Sequence, residues 1–273
     1  MSITFSTSWY IFKAKFDVTT YFHWIDNMLS NVNNYNLVIY SDDAGSQMLQ
    51  KYLQNPRIKL IIKPYEQFYT YRYKDFWIKN HERNEILREW VDWKVNMLWC
   101  EKVHFVYETM QQQYFSTDYY GWCDIGYFRG RNMDLNKDEL RDWPSYDIVN
   151  NLNRKKIYYA CIKNNNEYMR ELISIIQDKN VLGLPNQEIP AHQNSIAGGF
   201  FIAHKDKIEW WRDTFNERLL LYFQNNYLVK DDQIIIVDCI FSNLKHFCLC
   251  KEENPKYDNW FLFQRYFTNK IDD

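Results

Sequence analysis

Between residues 9 and 62 the chain alternates short apolar runs with stretches of helical period. Residues 9–12 read as a short strand. Residues 21–29 fit a helix that buries Phe22, Ile25 and Leu29. Leu37, Val38, Ile39 and Tyr40 form a compact apolar run, closed by Ser41, Asp42 and Asp43 as a strand running into a loop. Residues 47–53 are helical, and residues 59–62 make the next strand, stopped by Pro64. A β-α-β-α-β order predicts a parallel sheet with helices on its faces. Such a sheet presents its ligand crevice beyond the carboxyl ends of its strands.

The 273 residues include 46% hydrophobic side chains, enough for a sizeable core. Only 7 Gly and 6 Pro are present, and no Gly/Ser- or Pro-rich linker divides the chain, so a single domain over residues 1–273 is expected. Residues 65–82 read as a loop or short helices. Residues 86–112 read as the longest helix, with Leu87, Val91, Val95, Leu98 and Phe105 on one face. Lys94 falls within that stripe, where a lysine must snorkel, pair or reach a ligand. Glu101 and Lys102 sit near the stripe's edge. Further strands are expected at residues 118–122, 156–162 and 198–203, with helices at 167–176 and from 208 onward. Ile208, Trp211, Phe215, Leu219 and Tyr222 mark one amphipathic helix; Ile234, Val237, Phe241 and Leu244 mark the next.

A net charge of −2 disfavours nucleic acid as a partner, because a duplex-binding surface needs a basic excess. The six cysteines form no CxxC pair, and Cys248-x-Cys250 is no zinc spacing, which suggests reduced thiols. No signal peptide and no membrane span are read, so a cytoplasmic location is expected. The cytosolic side of a membrane, or a viral replication compartment in a host cell, would suit it equally. Aromatics reach 19%, an excess that suits sugar stacking and a homodimer interface alike.

Three constellations carry possible chemistry. In Trp122-Cys123-Asp124-Ile125-Gly126-Tyr127-Phe128-Arg129 an aspartate closes a strand. Asp124 there is placed to hold a divalent metal and, through it, a diphosphate. Gly126 would let a ligand approach the backbone, and Arg129 would meet a negative group. The plainer reading pairs Asp124 with Arg129. Gly198-Gly199 opens a buried strand, either for close approach of another backbone or a substrate or for a tight turn of positive φ. Lys230-Asp231-Asp232-Gln233 opens a helix. One aspartate is either a helix cap or, with the Gln233 amide, a group facing the crevice that binds hydroxyls or acts as a base. GxSxG, GxGxxG, a Walker A loop and HExxH are absent from the sequence.

These blocks, in this order, resemble the bacterial HtrL/YibB family. The Trp122–Arg129 block is similar to its W-x-D-x-G-Y-x-R signature, Gly198-Gly199 to its glycine pair, residues 203–210 to its Lys/Trp-bearing helix, residues 229–233 to its D-D-Q helix start, and Asn259-Trp260-Phe261 with Arg265 and Phe267 to its aromatic C-terminal block. Trp93-Lys94 falls where the family has the helix before the D-x-G strand. The family is associated with lipopolysaccharide-type glycan assembly, and its layout is similar to that of GT-A glycosyltransferases. The resemblance therefore implies an α/β GT-A-like fold, with a nucleotide-binding half over about residues 1–130 and an acceptor half over about residues 131–273. It implies transfer of a sugar from a UDP-sugar donor to a glycan or other hydroxyl acceptor, with Asp232 catalytic. Donor binding would fall to Lys94, Asp124, Gly126, Arg129, Gly198, Gly199 and Gln233, and a divalent metal, Mn2+, to Asp124. Gly126 stands where D-x-D has its second acid, which leaves three options. The metal is held weakly, its second ligand is distant in sequence, or Lys94 and Arg129 carry the diphosphate charge. A catalytically inactive carbohydrate- or nucleotide-binding module is the alternative. A nucleotidyltransferase is a third reading, against which residues 9–20 lack glycine.

Overall fold

A computed structural model describes residues 3–129, 137–163 and 165–268. Seven strands, β1 (Ile3–Trp9), β2 (Asn36–Ser41), β3 (Ile58–Ile62), β4 (Tyr119–Cys123), β5 (Ile157–Ala160), β6 (Phe200–His204) and β7 (Phe247–Cys250), form one sheet in the order β3-β2-β1-β4-β6-β5-β7. β1 runs parallel to β2 and β4, β2 to β3, and β5 to β7. β6 alone is antiparallel to both of its neighbours, β4 and β5. The architecture is α/β, a mostly parallel central sheet covered by helices on both faces.

Alternation along the strands sorts side chains between the two faces. Leu37 and Ile39 of β2 and Phe200 and Ile202 of β6 face one core. The helix α1 (Val18–Leu29) lies between β1 and β2, the short α2 (Asp43–Ser46) between β2 and β3, α3 (Lys74–Arg83) and α4 (Trp93–Gln111) between β3 and β4, and α5 (Lys137–Leu140) and α6 (Tyr146–Asn150) between β4 and β5. The remaining helices are α7 (Asn166–Gln177), α8 (Lys205–Gln224), α9 (Asp232–Ser242) and α10 (Leu262–Tyr266). Val38, Tyr40, Trp122 and Phe201 face the opposite core, together with side chains of α4, α7, α8 and α9. Burial on both faces explains why the strands read as continuous apolar runs.

Several expectations need correction. β1 lies upstream of the run at residues 9–12, where Thr4, Ser6 and Thr7 are buried beside apolar neighbours and blur the hydrophobic signal. α1 buries Ile25, Met28 and Leu29, while Phe22 is 48% exposed. The expected helix over 86–112 begins only at Trp93, because Asp92 caps it by accepting the Lys94 N–H at 2.9 Å. Leu87 and Val91 precede it and pack as a small cluster with Val95. α8, at 20 residues, is longer than α4. Its expected stripe from Ile208 to Tyr222 is buried. α9 is buried nearly all round, and Leu244 lies beyond its end. Strand β7 carried too short an apolar run to be anticipated. Among the described residues no helix is long and apolar enough to cross a membrane.

Candidate functional site

Topology builds the site. β1 and β4 are parallel neighbours, so their carboxyl ends meet at one edge of the sheet. β6 runs the other way beside β4, so its amino end starts at that same edge. Cys123 pairs with Phe200, and one step on the Asp124 N–H donates to the Gly199 carbonyl at 2.9 Å. Asp124 and Gly198-Gly199 are therefore side by side although they are far apart in sequence. The start of α9 adds Asp231, Asp232 and Gln233. Asp231 is the cap of this helix, accepting the Gln233 N–H at 3.2 Å. Asp232 occupies the first turn, where the helix dipole favours its negative charge.

Lys102, on α4, joins these pieces. Its Nζ donates to the Gly198 carbonyl at 2.9 Å and lies 3.0 Å from Asp232 Oδ2 and 3.2 Å from Asp124 Oδ1. One hydrogen bond, to Gly198, and two ion pairs thus converge on one ammonium. Lys102 is 7% exposed and Asp232 5%. Burial pulls the ammonium toward the neutral form, but the carboxylates of Asp124 and Asp232 outweigh it, and Lys102 stays charged above the ordinary lysine range. For Asp232 burial dominates: its carboxyl is pushed up to about 6, against the pull of Lys102. Asp124 Oδ1 also accepts the Trp122 indole N–H at 2.6 Å. Lys230 Nζ lies 2.8 Å from Asp231 Oδ2.

The glycine pair has a steric reason. A Cβ on Gly198 would stand 2.8 Å from Asp232 Oδ2, and one on Gly199 would stand 3.1 Å from Asp124 Oδ2. Neither residue has a positive φ, so the tight-turn reading does not hold. The groups that come close are two aspartate carboxylates.

In front of this cluster opens a cavity of about 460 Å³. Asp124, Asp231, Asp232 and Gln233 line its floor together with Lys102. Lys15 and Arg129 also line it, as do aromatic rings that include Trp9, Trp99, Trp260 and Phe261. Lys15 Nζ lies over the Trp99 ring at 5.3 Å, and burial lowers its pKa. The cavity combines fixed cations for an anionic group, a buried carboxylate, and flat rings suited to a base or a sugar face.

Of the anticipated residues, Asp124, Gly126, Arg129, Gly198, Gly199, Asp232 and Gln233 all line this cavity. Lys94 does not. Its ammonium lies over Tyr65 at 4.7 Å and over Phe12 at 5.8 Å, an aromatic seat behind the wall. Gly126 has a steric reason to be small: its Cβ would stand 3.0 Å from the Trp24 ring and 3.3 Å from Tyr21. Arg129 donates from Nε to the Gly126 carbonyl at 2.6 Å and lies 4.3 Å from the Trp24 ring centre. The Gln233 amide donates to the Ile196 carbonyl. Lys15 and Lys102 were not anticipated as site residues. For Lys102 a signal existed, since Val95, Leu98, Lys102 and Phe105 share one helix face and a lysine on such a face needs partners. Its neighbour Glu101 is fully buried on another side of α4. There it accepts the Tyr69 and Thr70 N–H groups at 2.6 and 3.0 Å.

A divalent metal at Asp124 fits these residues poorly. The point on which Asp124 Oδ1, Asp232 Oδ2 and the Gly198 carbonyl converge is filled by Lys102 Nζ. Asp231, the other acid, is engaged by Lys230. Among the described residues no three His, Cys, Asp or Glu side chains come together as a ligand set. No protein-family profile matches the chain, and no curated protein matches it in sequence.

Proposed function

We propose that the chain is a glycosyltransferase that moves a sugar from a nucleoside diphosphate donor, a UDP-sugar, to a hydroxyl of a glycan acceptor. The observation that carries this reading is the meeting of Asp124, Asp232 and Lys102 at the floor of one cavity lined by cations and aromatic rings. Its place beyond the carboxyl ends of parallel strands is where open α/β sheets take their ligands. The resemblance to the HtrL/YibB family and to the GT-A layout points the same way.

In the proposed reaction the bond between the anomeric carbon and the diphosphate oxygen breaks, and the diphosphate leaves with the electron pair. A new bond forms from the acceptor oxygen to the anomeric carbon. The acceptor proton passes to Asp232 Oδ, which is ionised above pH 6 and, with its raised pKa, a better base than an exposed carboxylate. Lys15 and Arg129 stand on the cavity wall to meet the charge gathering on the diphosphate. Trp9, Trp99 and Trp260 offer rings for the base and the sugars. Asp124, held by Lys102 and the Trp122 indole, is oriented to accept donor hydroxyls.

Thermal-shift titration with UDP, GDP, CDP and their sugars tests the donor site. One nucleotide should raise Tm selectively, by ~5–10 °C at a hundredfold excess over Kd, the equivalent of about 2.7 kcal/mol. Asp232→Asn should keep that shift and lose transfer. A chain that responds to none of these nucleotides is not this enzyme. Binding with no transfer to any acceptor would mark it as a binding module.

A further inference from the structure

We infer that the Lys102 ammonium is the resident cation of this site, standing where a divalent ion would otherwise bridge Asp124 and Asp232, so that donor binding proceeds without metal. The inference rests on the donor reading above and goes beyond it, because the resemblance implies a metal.

The geometry carries the argument. Asp124 Oδ1, Asp232 Oδ2 and the Gly198 carbonyl are three hard oxygens, 3.2, 3.0 and 2.9 Å from one nitrogen. They come from the end of β4, the start of α9 and the entry to β6, and two carboxylates among them favour a cation at the point where they converge. Lys102 reaches that point from inside the core along its four-carbon chain, with the Trp122 ring 5.8 Å from its Nζ. A divalent ion at the same point needs oxygen contacts of about 2.0–2.6 Å and so must expel the ammonium. The expelled ammonium would give up its bond to the Gly198 carbonyl and both ion pairs, and the neighbouring Trp122 ring offers no oxygen to replace them.

Charge balance agrees. Lys15, Lys102, Arg129 and Lys230 line the cavity or pair with its acids, against Asp124, Asp231 and Asp232. Among the described residues these are four cations and three acids before any ion enters, a balance suited to a diphosphate. The reverse substitution follows from the same picture. Shortening Lys102 to alanine leaves two carboxylate oxygens and a carbonyl around a vacated point, which is the beginning of an oxygen-ligated metal site.

The test is calorimetric titration of UDP into the full chain with Mn2+, with Mg2+ and with EDTA. It is paired with titration of Mn2+ alone into wild type and Lys102→Ala, followed by the loss of the free Mn2+ electron paramagnetic resonance signal. The UDP Kd of wild type should change less than about twofold among the three conditions, where a bridging ion would change it about tenfold or more. Lys102→Ala should bind Mn2+ that wild type does not, and should bind UDP more tightly with it. Wild-type UDP binding that needs Mn2+ overturns the inference and leaves the donor reading standing. Failure of a folded Lys102→Ala to take up Mn2+ overturns the oxygen-cage assignment. Absence of UDP binding under every condition, with no response to GDP or CDP in the thermal-shift series, removes the donor reading and the inference together. The wild-type titrations decide the central point even if Lys102→Ala does not fold.

Discussion

Asp232 is the residue on which the proposed chemistry turns. Its carboxyl is raised to about 6 by burial, so the ionised fraction falls as pH falls through that value. Transfer should therefore drop about tenfold per pH unit below about pH 6, and Asp232→Asn should abolish it at every pH. Stability carries the matching sign. The folded chain binds this proton more tightly than the unfolded chain, so the contribution is fully present below the ordinary carboxyl pKa and is lost as pH rises to about 6. Urea unfolding between pH 4 and pH 7 should show that decline, of about 1–3 kcal/mol, and Asp232→Asn should flatten it. Glu101, raised to about 7 by burial, adds a decline of the same sign that survives in that variant. The glycine beside Asp232 gives a second test. In Gly198→Ala the new methyl would meet Asp232 Oδ2 at 2.8 Å, so the carboxylate must move. Turnover should fall about tenfold or more from the misplaced carboxylate, while stability drops by about 1–3 kcal/mol. Unchanged turnover would mean that Asp232 has no positional role. Sequence alone marked both residues as candidates, because a glycine pair before an apolar run and paired acids at a helix start are local patterns. It left open which explanation applied to each, since cap and crevice readings place the same residue types in the same order. The fold divides them by partner: both line the cavity, but Asp231 caps α9 and pairs with Lys230, whereas Asp232 meets Lys102.

At the scale of elements, the pairing of β4 with β6 is the joint that assembles the site. Gly121 lies within β4, where a Cβ would come to 2.2 Å from the Phe201 carbonyl of β6 and 3.1 Å from the Phe5 ring of β1. Backbone cannot yield there as a flexible side chain can. Gly121→Ala should cost about 3 kcal/mol in a denaturant titration and separate Asp124 from Gly199. A variant of wild-type stability would show that the two strands are less closely paired. α4 is the second joint, because successive residues of it serve two purposes. Glu101 holds the backbone at Tyr69 and Thr70, while Lys102 turns to the acids. Helical period locates the apolar side of α4 and correctly includes Lys102 near it. Period cannot say which of Lys94 and Lys102, two turns apart, meets a ligand pocket and which meets aromatic rings. That depends on what the folded chain sets against each turn.

At the scale of the molecule, the cavity draws its walls from both halves of the chain. Residues 8–18 and 122–129 come from one half and residues 198–199, 231–233 and 260–261 from the other. A bound donor should therefore slow amide hydrogen exchange in segments from both halves at once. Protection confined to the N-terminal half would place the ligand elsewhere. The sequence by itself determined the α/β class, most of the strands, the buried stripe of α8, and the short blocks in which Asp124, Gly198-Gly199 and Asp232-Gln233 reside. Each of these rests on local periodicity or on residue types that neighbours in sequence constrain. Tertiary structure alone decided that β6 runs against its neighbours, that Lys94 lies off the site, and that Lys102 lies at its centre. The bond from Lys102 to the Gly198 carbonyl spans 96 residues. No local pattern records such a contact, because it exists only once the strands have paired and the helices have closed over both faces of the sheet.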